Sequence, residues 1–234
     1  MDAMRNALDG GLSRLELPLS EETRQKLCGF GAMMVAQNEV MNLTAITEPE
    51  RVGLLHLTDS LTVMKCADLR GKTLIDVGCG AGFPGVPLAI ACPDARVTLL
   101  DSLAKRMNWL ETVLPRLELH NARCVTARAE EYVAGCRETF DYATSRAVAR
   151  LNILLEITAP YVKVGGAVLA MKGSAAREEL EEARGAMEKL GLKAEKILDF
   201  PMEDAVHSVI VLRKVKPTPA RYPRRYAKIK QNPL

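Results

Sequence analysis

Between Thr73 and Leu212 the chain switches repeatedly between two hydrophobic rhythms. Short runs of about five apolar and β-branched residues, at Thr73–Val77, Arg96–Leu100, Ala122–Thr126, Phe140–Thr144 and Ala167–Met171, predict buried strands. Between them, helical spacing is read at Val86–Ala91, after Ser102 (Leu103, Met107, Leu110, Leu114), at Leu151–Ala159 and over Ser174–Leu190. Ser102 reads as the cap of its helix. Lys196–Phe200 and Ser208–Leu212 are the last two strands, read as a hairpin. This order predicts an α/β fold: a mostly parallel, seven-stranded sheet with helices on both faces. Ligands then sit outside the carboxyl ends of the strands. Upstream, residues 1–70 read as a helical region. Ser20 caps Glu21 and Glu22, Leu27, Phe30, Met34 and Met41 share a face, and Asn42–Ile46 is a non-helical link. The expected division is 1–70 helical, 71–215 ligand-binding domain and 216–234 basic tail.

The first strand runs into the loop Gly78-Cys79-Gly80-Ala81-Gly82-Phe83-Pro84-Gly85. Alternating glycines let the backbone turn sharply and let a ligand approach it closely. Gly80 to Gly85 is a literal G-x-G-x-x-G, but it starts two residues beyond the first glycine after the strand, which weakens a dinucleotide reading. Asp76-Val77-Gly78-x-Gly80-x-Gly82 instead resembles the first motif of S-adenosylmethionine methyltransferases. Asp101, 23 residues after Gly78, can accept ribose hydroxyls in either case. Ala129-Glu130 follows the third strand, where adenine would lie.

Composition narrows the classes. The 234 residues are 48% hydrophobic and 26% charged, enough for one sizeable core plus an appendage. The polar start, Met1 to Asn6, reads as no signal peptide, and no apolar run approaches a membrane span. Six cysteines without a CxxC and three widely spaced histidines suggest reduced core thiols and neither a metal site nor a disulfide framework. The expected location is the cytoplasm. Arg213–Leu234 carries eight basic residues and no acid, leaving a body with 24 basic against 29 acidic residues. Four prolines and two tyrosines in this tail suggest an extended arm that stacks on and neutralises RNA, the alternative being a tail that wraps back on the acidic body and closes the fold.

At the end of the fourth strand, Ser145-Arg146 offers an arginine that can hold a carboxylate or phosphate. The Asn/Asp-Pro-Pro-Tyr/Phe grip for exocyclic amines and the Pro-Cys nucleophile are both missing there. Lys105 and Arg106 stand in the first turn of a helix, where the dipole favours acids, which hints at an external anion. His56 and Asp59 read as a hydrogen-bonded pair on a helix face.

Asn42–Ile46, His56-x-x-Asp59-Ser60-Leu61, Asp76 to Ile90, Leu99 to Leu103, Lys105-Arg106, Ser145-Arg146-Ala147 and Lys172-Gly173 together resemble the ribosomal RNA small subunit methyltransferase G family, also called glucose-inhibited division protein B. Ala227 and Ile229, where the family often has Gly and Pro, and Gln37 depart from its pattern. The resemblance implies a Rossmann-like class I fold and methylation of a guanine N7 in bacterial 16S ribosomal RNA, at nucleotide 527 of the decoding-region loop. The expected cofactor, S-adenosylmethionine, would be held by Asp76, Gly78, Gly80, Phe83, Asp101, Ala129, Glu130 and Arg146, the last also positioning the base. No general base and no metal is expected. RNA or the small ribosomal subunit would meet Lys105, Arg106, Lys172, Arg221, Arg224, Arg225, Lys228 and Lys230, with the protein a monomer. A non-catalytic S-adenosylmethionine-binding RNA module and a small-molecule methyltransferase are the alternatives.

Overall fold

The computed structural model describes residues 2–203 and 205–234. Its seven strands are β1 (Thr73–Val77), β2 (Arg96–Asp101), β3 (Ala122–Thr126), β4 (Phe140–Arg146), β5 (Val162–Lys172), β6 (Leu192–Met202) and β7 (Ala205–Lys214). They form one sheet in the order β3-β2-β1-β4-β5-β7-β6. β7 pairs antiparallel with both neighbours, and every other pairing is parallel. Because β1 lies between β2 and β4, consecutive crossovers depart in opposite directions from it, and a crevice opens at its carboxyl end.

Strand alternation divides the interior into two cores. Leu74, Leu99, Leu169 and Val211 face the amino-terminal helices together with Gly85–Ala91 and Ala104–Arg116, whereas Ile75, Leu100, Val168 and Ile210 face Leu151–Thr158 and Arg184–Leu190. Both faces are covered, which is why these strands read as continuous apolar runs. Helices Asp2–Leu15 and Glu21–Met41 lie in the first core through Leu8, Leu12, Leu27, Phe30 and Met34. Ser20 caps the second of them, accepting the Thr23 N–H at 3.1 Å, as its sequence predicts. Between Pro49 and Leu61 the chain is helical, but Val52–Thr58 is wound as a wider π-helical turn.

Two helix boundaries differ from expectation. Ser102 is exposed and caps nothing: the helix starts at Ala104, and the Asp101 carboxylate takes the Leu103 N–H at 2.9 Å. The segment read as one helix from Ser174 is two, Ala176–Glu182 and Arg184–Leu190, joined at the fully buried Ala183.

The larger correction is the tail, which is not an extended arm. It folds back over the second core, burying Tyr222 and Ile229 and ending in the helix Tyr226–Gln231. Arg137 donates to the carbonyls of Thr218, Pro219 and Tyr222. Arg224 forks onto the fully buried Glu156 at 2.8 and 2.6 Å, which commits it to the fold and removes it from the expected RNA contacts. Lys214 is wholly buried against Glu138 and the Ala159 carbonyl, and Arg213 pairs with Glu195. Prolines kept the tail irregular, while the two apolar side chains and the buried carboxylate decided where it goes.

Candidate functional site

The crevice at the end of β1 is walled by backbone. Gly78 and Cys79 both donate to the Leu100 carbonyl, at 2.8 and 3.1 Å, tying the loop to the end of β2. Gly78 has φ +73°, and a Cβ there would lie 2.6 Å from Val148. Only glycine fits both demands. Asp101 accepts the Gly80 N–H at 3.0 Å as well as Leu103, so each carboxylate oxygen keeps lone-pair capacity towards the crevice. The resulting cavity measures about 460 Å3. Gly78, Gly80, Phe83, Asp101, Ala129, Glu130 and Arg146 line it, together with Thr44, His56, Arg106, Arg128, Val148, Ile157 and Tyr226.

Asp76 is placed differently from the sequence expectation. It is fully buried beneath the loop and lies outside the cavity lining. One of its oxygens accepts the Gly85 N–H at 2.7 Å. The other has no hydrogen-bond partner among the described residues. Burial pushes its carboxyl up to about 7. A Cβ on Gly85 would come within 2.8 Å of that carboxylate and 2.3 Å of Leu99, so the acid and the glycine require each other.

A second cavity, about 570 Å3, shares His56, Arg146, Ala147 and Val148 with the first and adds Asp59, Arg150, Lys172, Glu179 and His207. At their junction Arg146 donates to the Leu55 carbonyl (2.9 Å), to Asp59 (3.0 Å) and to His56 Nδ1 (3.0 Å). Its guanidinium lies 5.1 Å from the centre of the Phe83 ring, on which His56 also stacks at 4.8 Å. Arginine only donates, so His56 Nδ1 must accept, and Nε2–H then donates to Thr44 Oγ1 at 2.9 Å. Burial, with Arg146 beside it, brings His56 down to about 4. The ring is neutral and its free lone pair is used. Asp59 is equally occupied, since its other oxygen bonds His207 Nδ1 at 2.8 Å. That bond holds His207 above the usual histidine range. His56 and Asp59 therefore do not form the helix-face pair expected from their spacing. Both close on Arg146.

Lys172 also departs from expectation: its ammonium bonds the Ala149 carbonyl and Glu179 inside the second cavity's wall, with 8% of the side chain exposed. It fixes the loop after β4 and is no free cation for RNA. Lys105, Arg221, Arg225, Lys228 and Lys230 are exposed and form no ion pair among the described residues. Sequence reasoning missed Val148, Arg128 and Ile157, which carry no local signal, and gave Tyr226 to RNA because it sits among cations. The described residues contain no cluster of three or more metal-ligating side chains, and no helix long and apolar enough to cross a membrane.

Residues 23–206 match the family model of rRNA small subunit methyltransferase G. The chain belongs to that family. It is 44% identical over 225 residues to the ribosomal RNA small subunit methyltransferase G of Desulfitobacterium hafniense (strain Y51), covering 94% of this chain and 93% of that protein. The protein of the same name from Acetivibrio thermocellus is 43% identical, covering 99% and 97%. Among solved structures, an Aquifex aeolicus SAM-dependent methyltransferase superposes with a TM-score of 0.55 at 19% identity, over 70% of this chain and 93% of that one. At that identity the likeness speaks for the fold alone, and it agrees with the strand order above.

Proposed function

We propose that the protein transfers the methyl group of S-adenosylmethionine to N7 of a guanine in bacterial 16S ribosomal RNA, at nucleotide 527 by resemblance, acting in the cytoplasm as a monomer. The observation that carries this reading is the pair of cavities joined at Arg146, one suited to a nucleoside and one to an incoming base. The family and its relatives' names support the substrate class.

The residues fit the cofactor. Asp101 offers carboxylate lone pairs for ribose hydroxyls, the backbone at Ala129 and the Glu130 carboxylate flank the adenine end, and the glycine loop leaves room for the aminoacyl end. When bound, the cofactor supplies a methyl group on a cationic sulfur. Arg146 spends three donor contacts on the protein, so two of its five N–H groups remain for a base, a set suited to guanine O6. Guanine N7 bears a lone pair and no proton. No side chain needs to remove one, which agrees with a neutral, occupied His56 and a doubly bonded Asp59. Catalysis then rests on alignment of N7 with the methyl group and on a base drawn out of its stack.

The test is methyl transfer from tritiated S-adenosylmethionine to 16S RNA and to small subunits from cells lacking the protein. Label confined to one 7-methylguanosine, located by aniline-induced strand scission, is the expected result. Label on another atom, or on small molecules only, would overturn the reading.

A further inference from the structure

The tail reaches the first cavity, and the route is specific. Ile229 and Tyr222 are sunk in the second core, and Arg224 is locked onto Glu156. These anchors bracket Tyr226, which is half-buried and lines the cavity beside Arg128, Ala129, Glu130 and Ile157. The Tyr226 N–H meets Glu130 Oε1 at 3.3 Å, so the tail touches the acid at the adenine end. The other Glu130 oxygen has no partner among the described residues and stays open to a ligand N–H.

We propose that Tyr226 is a cofactor-binding residue: the folded tail supplies the adenosine-side wall of the first cavity, its ring packing on the nucleoside. This rests on the S-adenosylmethionine reading above. An aromatic ring on a nucleobase adds affinity through its face and its excluded water, on a helix already fixed by buried contacts. The same six-residue helix shows Lys228 and Lys230 to solvent.

The full-length protein, Tyr226→Phe and Tyr226→Ala are titrated by calorimetry with S-adenosylhomocysteine and with 5′-methylthioadenosine, which lacks the aminoacyl half. Tyr226→Ala should weaken both ligands by the same factor, roughly tenfold, with the protein still folded in the absence of ligand. Tyr226→Phe should bind within about twofold of wild type, because the face of the ring is what is used. Wild-type affinity for both ligands in Tyr226→Ala would overturn the proposal while leaving the cofactor reading intact. Failure of wild type to bind S-adenosylhomocysteine would overturn both. If Tyr226→Ala does not fold, hydrogen exchange on the wild-type protein decides: amides of residues 224–231 should slow on adding S-adenosylhomocysteine, and unchanged exchange there refutes a tail in contact with the ligand.

Discussion

The two cavities are made in different ways. The first is shaped by main chain: a glycine loop after β1, the ends of β2 and β3, and one carboxylate, Asp101, bonded to N–H groups close to it. The second is shaped by side chains drawn from far apart, with Asp59, Arg146 and His207 bonded across gaps of 87 and 148 positions. A backbone wall tolerates most substitutions that keep the glycines, because no single side chain holds it up. A wall of paired charges is weakened when the buried Asp59 is removed, since Arg146 and His207 both lose their counter-ion.

The largest test of this difference is Asp59→Ala, which strands Arg146 beside a neutral His56. Urea unfolding should show a loss of about 3–5 kcal/mol. A loss below about 1 kcal/mol would mean that the network carries no more than a surface pair, and the contrast would disappear. Next comes Asp76, which sits under the first cavity. Its carboxyl rises from 3.8 to about 7 on folding, so the folded state binds the extra proton between those values. Stability therefore falls as pH rises from about 4 to 7, by at most about 4 kcal/mol. Melting curves against pH should show this slope, and Asp76→Asn should flatten it. An equal slope in the variant would assign the titration elsewhere.

Asp101→Ala sharpens the comparison from the other side. It should leave the fold standing and weaken S-adenosylhomocysteine binding by about 1–3 kcal/mol, read by calorimetry. Unchanged affinity would show that backbone alone holds the nucleoside. The smallest effect belongs to His207→Ala. His207 is partly exposed and its folded value is raised by Asp59, so its contribution is whole below about pH 6.5 and fades as pH climbs through the folded value. After allowance for solvent, the expected loss is under about 1 kcal/mol at pH 6 and none at pH 9. A constant loss at both would mean that packing, and not charge, is what His207 provides.

Much of the first cavity was readable because its parts are local. Gly78, Gly80 and Asp101 lie within one βαβ unit, where strand, loop and acid keep a fixed spacing. Asp76 shows the limit of that reading. The motif marks it as a ligand contact, but its work is to hold the Gly85 N–H, one layer below the cavity. Lys172 and Arg224 show another limit. A lysine at a strand end and an arginine in a basic tail look alike as free cations, and only the buried carboxylates of Glu179 and Glu156 reveal that both are engaged.

By itself the sequence determined the alternation of strands and helices, both covered faces of the sheet, the glycine turn and the acid that answers it. Hydrophobic period and turn chemistry are properties of neighbouring residues, so one dimension carries them. Tertiary structure alone decided that Arg146 is gripped by Leu55, His56 and Asp59, that His56 is neutral, and that the tail lies docked beside the first cavity. Those outcomes depend on which charges share a desolvated space. Desolvation is set by everything that packs around a group, and no window of sequence contains it.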